Sequence, residues 1–159
     1  VKLVKLLDKE IQNKTKIRPQ SNLGWNTKEM YENYLGKNMI SQEKNYYKFV
    51  SHSKIILCLY PETTFSESMA SGIPTILAYP ENYNERNHKA LGLIDTMKKA
   101  KIIFNNFDLA ADHINNIWQN PYDWWNSEET CRAREEFFQT AGNPNDSQWL
   151  RKWLKFLKI

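Results

Sequence analysis

The run Lys54-Ile55-Ile56-Leu57-Cys58-Leu59-Tyr60, followed by Thr63-Thr64-Phe65-Ser66-Glu67-Ser68-Met69-Ala70-Ser71-Gly72 and by Pro74-Thr75-Ile76-Leu77-Ala78-Tyr79, decides the fold. Its first part is apolar at consecutive positions and of strand length, the pattern of a parallel strand covered on both faces. Its second part opens on hydroxyl residues and is stopped by Gly72, which predicts a helix from about Phe65 to Ser71. The third part reads as a second buried strand. Strand, crossover helix and parallel strand form the repeating unit of an open α/β sheet.

Downstream, Leu91, Leu93, Ile94 and Met97 place a helix within residues 86 to 100, and Lys101 to Phe104 reads as a last strand. Asp108 is expected to cap a helix ending near Asn120-Pro121, and Ser127 to Thr140 and Ser147 to Leu157 form final helices around the breaker Gly142-Asn143-Pro144. Upstream, Leu3, Val4, Leu6, Leu7 and Ile11 recur at helical spacing, and Thr15 to Pro19 reads as a short strand. Asn26 or Thr27 caps a helix over Lys28 to Leu35 that Gly36 stops; Lys37 to Ile40 is a brief strand, and Ser41 caps a helix to about Val50. The expected fold is α/β: a Rossmann-like open parallel sheet with helices on both faces over 1–120, and a helical C-terminal extension over 121–159 packed on it.

The 159 residues suit one α/β domain or a piece of a larger two-domain protein. A hydrophobic share of 41% with 13% aromatics is ample for a packed interior, which argues against disorder. The net charge of +4 and pI near 9.0 admit an anionic ligand or surface without choosing between them, and no nucleic-acid partner is expected. Cys58 and Cys131 are the only cysteines, too few for a disulfide framework or a zinc site, and fit a reducing compartment. No apolar run approaches the ~20 residues that span a bilayer, and no secretion signal opens the chain. The expectation is a soluble, cytoplasmic chain. It starts at Val1, within a helix, so an upstream part, including the first strand of the sheet, is expected to be missing.

In open α/β sheets ligands bind at the carboxyl ends of the strands. Here the first buried strand leads directly to Thr63 and Thr64 at a helix start, where free N–H groups, the helix dipole and two neutral hydroxyls attract phosphate. Glu67, one turn on, is placed to accept hydrogen bonds from ribose hydroxyls. The same Thr64-Phe65-Ser66-Glu67 also spells a capping box, in which Glu67 returns to the Thr64 N–H. One carboxylate cannot serve both roles fully.

The segment from Tyr60 to Thr75 resembles the donor-site stretch of GT-B glycosyltransferases: a strand, then Ser or Thr, an acidic residue, small residues, Gly and Pro. More closely, the chain resembles a bacterial transferase family associated with surface-polysaccharide synthesis. Ile17-Arg18-Pro19, Gly24-Trp25-Asn26, Thr63 to Ser68, Ile73-Pro74-Thr75-Ile76, the Pro80 to Arg86 loop, Ile117-Trp118 and Trp124-Trp125-Asn126-Ser127 carry it, in order, over nearly the whole chain. The resemblance implies a C-terminal Rossmann-like domain that binds a nucleotide-sugar donor without a metal or other cofactor. Its partner would be an N-terminal acceptor domain that usually holds the catalytic base, so the chain by itself is expected to be inactive.

Arg18 corresponds to a short motif that contacts donor phosphate in related transferases, and its planar fork of donors suits phosphate oxygens. Gln20 departs from the acidic or His residues found nearby in similar enzymes. In the loop after the second strand, Tyr83 can stack on a base and Arg86 can pair with phosphate. The expected donor contacts are thus Arg18, Thr63, Thr64, Glu67, Ser68, Tyr83 and Arg86. His52, His88 and His113 have no carboxylate partner in sequence and read as structural. Trp118, Trp124, Trp125, Phe137 and Phe138 read as packing residues, and the basic end Arg151 to Lys158 as a helix packed on its own domain, though amphipathic enough to touch an anionic membrane. Glu62 and Glu67 do not by themselves make a glycosidase pair. No P-loop, HExxH, nucleophile elbow or G-x-G-x-x-G is present, which disfavours those classes. Two other readings remain at this point: a noncatalytic α/β interaction module, and a transferase of nucleotide-linked polyol phosphate.

Overall fold

The computed structural model describes residues 1–19, 26–80, 90–141, 147–148 and 151. Its centre is a parallel sheet in the order β1-β2-β3, with β1 at Ile56–Cys58, β2 at Thr75–Ala78 and β3 at Ile103–Phe104. The register pairs Ile56 with Thr75 and Cys58 with Leu77 on one side, then Leu77 with Ile103 and Ala78 with Phe104 on the other. All four residues of β2 are buried, as a central strand covered on both faces requires. β1 is shorter than the Lys54 to Tyr60 expected. Leu59 and Tyr60 are 43% and 54% exposed, so the chain has already left the sheet there.

Helices cover both faces, because successive strand residues point to opposite sides. On one face Cys58, Leu77, Tyr79 and Ile103 pack with α5 (Thr63–Ala70), α6 (Leu91–Lys99), α8 (Pro121–Trp125) and α9 (Glu128–Ala141), through Phe65, Met69, Met97, Trp125 and Phe137. On the other, Ile76 and Ala78 meet α1 (Lys2–Leu6), α2 (Lys9–Lys14) and α7 (Phe107–Ile117), through Leu3, Leu7, Ile11, Ala110 and Ile114. The tryptophans pack as expected. Trp125 is 1% exposed and donates to the Gly72 carbonyl at 2.9 Å, while Trp124 donates to Ala100 at 3.0 Å, so each buried indole N–H is satisfied. Gly72 ends the α5 turn at φ +75°, a conformation that costs a residue with Cβ.

Several expected elements differ. The first helix is two, broken at Leu7, which is extended. Side chains replace the lost helical bonds: Asn115 of α7 accepts from Asp8 N–H at 3.0 Å and donates to the Leu6 carbonyl at 3.3 Å, and Gln12 donates to the Leu7 carbonyl at 2.6 Å. The expected strands at 15–19 and 37–40 reduce to one parallel bridge, Ile17 with Ile40, and Lys37–Met39 is a 3₁₀ turn. Ser41 does not cap the next helix, because its N–H is bonded to the Ile17 carbonyl at 2.8 Å and its hydroxyl accepts from Glu43 N–H. Asn45 caps that helix, α4 (Tyr46–Ser51), instead. Asn106, not Asp108, caps α7, accepting from the N–H groups of Asp108 at 2.7 Å and Leu109 at 3.2 Å. α3 (Thr27–Leu35) ends at Gly36, φ +89°, as expected. The breaker Gly142-Asn143-Pro144 and most of the helix expected over 147–157, with its basic end beyond Arg151, lie outside the described residues.

Candidate functional site

α5 starts at Thr63, two residues earlier than expected, with Glu62 as its N-cap residue and no side-chain capping bond. The shift follows from the Phe65 N–H closing a turn onto the Glu62 carbonyl at 2.9 Å. Thr64 is therefore already inside the helix and the capping box with Glu67 does not form. The Glu67 carboxylate is exposed and has no hydrogen bond among the described residues. Thr63 and Thr64 are exposed as well, and their N–H groups have no partner among the described residues. An eight-residue helix with free N–H groups thus opens at the carboxyl end of β1, a geometry suited to an anion.

The first turn of α5 has two flanks. On one, Pro61, Glu62, Thr63 and Ser66 edge a cavity of about 450 Å³ whose floor is apolar: Phe65, Tyr79, Leu93, Ile94 and Phe137 among others. On the other flank stand Thr64, Ser68 and Tyr46 of α4. The Tyr46 hydroxyl lies 2.9 Å from Ser68 Oγ and 3.3 Å from the Thr64 carbonyl. Arg18, just past the Ile17 bridge, lies over the Tyr46 ring at 5.5 Å and donates to the Lys44 carbonyl at 3.4 Å. Partial burial raises the Tyr46 pKa, the Ser68 hydrogen bond opposes this, and the charges of Glu67 and Arg18 act on it with opposite signs. Residues far apart in sequence, Arg18, Tyr46, Thr64 and Glu67, therefore share one surface.

The family model described as LIC12162 family transferase matches residues 1–157. The chain belongs to the LIC12162 transferase family. No curated protein and no solved structure matches it. In this LIC12162 family transferase, the residues that sequence patterns single out are thus distributed unevenly around α5.

Ser68 has no surface open to solvent. It is fully buried, donates to the Thr64 carbonyl at 2.7 Å and serves as a partner for Tyr46 and for the Cys58 thiol, 3.7 Å away. A side chain with no exposed surface can act only through its neighbours, which sets Ser68 apart from the exposed Thr63, Thr64 and Glu67. Tyr83, Arg86 and His88 lie outside the described residues, as do Gln20 and Gly24-Trp25. His52 is a surface residue bonded to the Lys48 carbonyl at 2.7 Å. His113 is buried between Phe104 and Trp124 on the opposite face, and burial lowers its pKa to about 4. Burial pushes the Cys58 thiol up to about 11, so it is not a nucleophile at neutral pH. Among the described residues no helix is long and apolar enough to cross a membrane.

Sequence reading missed Tyr46, because placing the helix cap at Ser41 hid the Asn45 cap that sets its orientation. The signal was present: Asn45 followed by two aromatics at the start of an apolar-periodic run.

Proposed function

We propose that this family member is the donor-binding half of a GT-B glycosyltransferase acting in surface-polysaccharide synthesis, with a nucleotide-sugar as its ligand. One observation carries the reading: the free N–H groups of Thr63 and Thr64 open α5 at the carboxyl edge of a parallel sheet, with Arg18 over the ring of Tyr46, whose hydroxyl contacts α5. Donor phosphate sits at Thr63 and Thr64 with Arg18 alongside, and Glu67 accepts from ribose or sugar hydroxyls. When the glycosidic bond breaks, negative charge grows on the leaving nucleotide phosphate. Helix N-terminal donors and a guanidinium already in place offset that charge without reorganising. The acceptor and the catalytic base belong to a separate N-terminal domain, the partner of this one.

Thermal shift with CMP, CDP, UDP and GDP tests this, because a ligand that binds only the folded chain raises its apparent stability. One nucleotide should stabilise the wild type selectively, and Thr64→Ala and Arg18→Ala should each lose most of the shift. A well-folded chain that responds to none of the four would instead support the noncatalytic interaction module.

A further inference from the structure

We propose that Tyr46 is a positioning residue of the donor site, holding the Arg18 guanidinium and the first turn of α5 in one frame; this rests on the donor-site reading above. The tyrosine reaches both parts. Its ring lies under Arg18, with Cζ 5.5 Å from the ring centroid, and its hydroxyl reaches Ser68 Oγ at 2.9 Å and the Thr64 carbonyl at 3.3 Å. Both hydroxyls converge on the Thr64 carbonyl: Ser68 Oγ donates to it at 2.7 Å, and the Tyr46 oxygen stands 3.3 Å from it.

Each end of the link is fixed differently. Ser68 has no exposed surface, and Asn45 sets the orientation of Tyr46 by accepting the Lys48 N–H at 3.0 Å. Arg18 is exposed, and its one hydrogen bond among the described residues is the 3.4 Å contact to Lys44. A long side chain ordered only on ligand arrival subtracts its lost rotamer freedom from binding. An aromatic face beneath the guanidinium limits that freedom beforehand and leaves its in-plane N–H groups directed at oxygens. Tyr46 therefore acts through Arg18 and α5, without touching the ligand.

The test is a double-mutant cycle in nucleotide affinity, by calorimetric titration of CMP, CDP, UDP and GDP into the chain and its Tyr46→Phe, Tyr46→Leu, Arg18→Ala and Tyr46→Leu/Arg18→Ala variants. Melting temperatures without nucleotide check that each is folded at the titration temperature, and Tyr46→Met replaces Tyr46→Leu if the latter is not. Arg18→Ala is expected to weaken binding about tenfold, the scale of a charge-assisted hydrogen bond. Tyr46→Leu should weaken it about fivefold and Tyr46→Phe, which keeps the ring, at most about twofold. On the Arg18→Ala background Tyr46→Leu should add no more than the loss of the hydroxyl does, at most about twofold. An equal loss on both backgrounds would make Tyr46 a scaffold residue only and overturn the inference while leaving the donor site intact. A wild type that binds none of the four nucleotides would overturn the donor-site reading itself, and this role with it.

Discussion

His113 packs between Phe104 and Trp124, with ring centroids 5.4 and 4.8 Å away, and its Nε2 has no hydrogen-bond partner among the described residues. Burial first, and the Lys101 charge second, lower its pKa from 6.5 to about 4. The unfolded chain takes up this proton below about pH 6.5 and the folded chain only near pH 4, so stability is complete above 6.5 and declines as pH falls through that window. Between pH 7.5 and 4.5 the wild type should lose about 2 kcal/mol more than His113→Phe in denaturant melts, one pKa unit being worth about 1.4 kcal/mol. The two thiols differ for a related reason. Cys58 is buried with a raised pKa, whereas Cys131 is partly exposed, so a thiol reagent at pH 7.5 should label one site rapidly, and Cys131→Ser should remove that fast phase. Residue type was a fair guide at His113, which read as structural from its lack of a carboxylate partner and is buried between two rings. It did not reveal the burial of Ser68, because a hydroxyl one turn into a helix reads the same whether it faces solvent or a strand.

At the scale of elements, caps separate what was legible from what was not. Asn106 holds two N–H groups of α7, so Asn106→Ala should lower stability by about 1 kcal/mol. Asp108, the cap expected from sequence, pairs with Lys2 in solvent, and Asp108→Ala should change thermal stability far less. Aliphatic runs predicted all three strands of the sheet, because burial on both faces leaves an unbroken signature in β1 and β2. The N-terminal elements were harder to read. The break at Leu7 depends on Asn115, more than a hundred residues away, and the loss of the Ser41 cap depends on the Ile17 carbonyl. Long-range bonds of this kind leave no mark on local periodicity. The helix start at Thr63 has a local cause, the Phe65 N–H turning onto the Glu62 carbonyl, and it leaves Glu67 outside a capping box that the sequence spells in full.

In the whole molecule, the sheet divides two cores, and α8 and α9 share one of them with α5 and α6. The C-terminal helices thus support the helix that carries the candidate site. Trp125→Ala would empty a fully buried ring position and orphan the Gly72 carbonyl at the turn behind α5. It should cost about 3–5 kcal/mol, read as a lower melting temperature. The two-faced α/β architecture was legible from the order of its elements. The pairing of Arg18 with α5 was not, because it runs through Tyr46 across three separate segments. The most direct measurement of the central claim is a titration of isotopically labelled chain with CMP, CDP, UDP and GDP, following the backbone amides of Thr63 and Thr64 and the Arg18 Nε–H by NMR. One nucleotide should shift these three signals together, saturably and with a common dissociation constant; saturable shifts that leave all three in place would contradict the account.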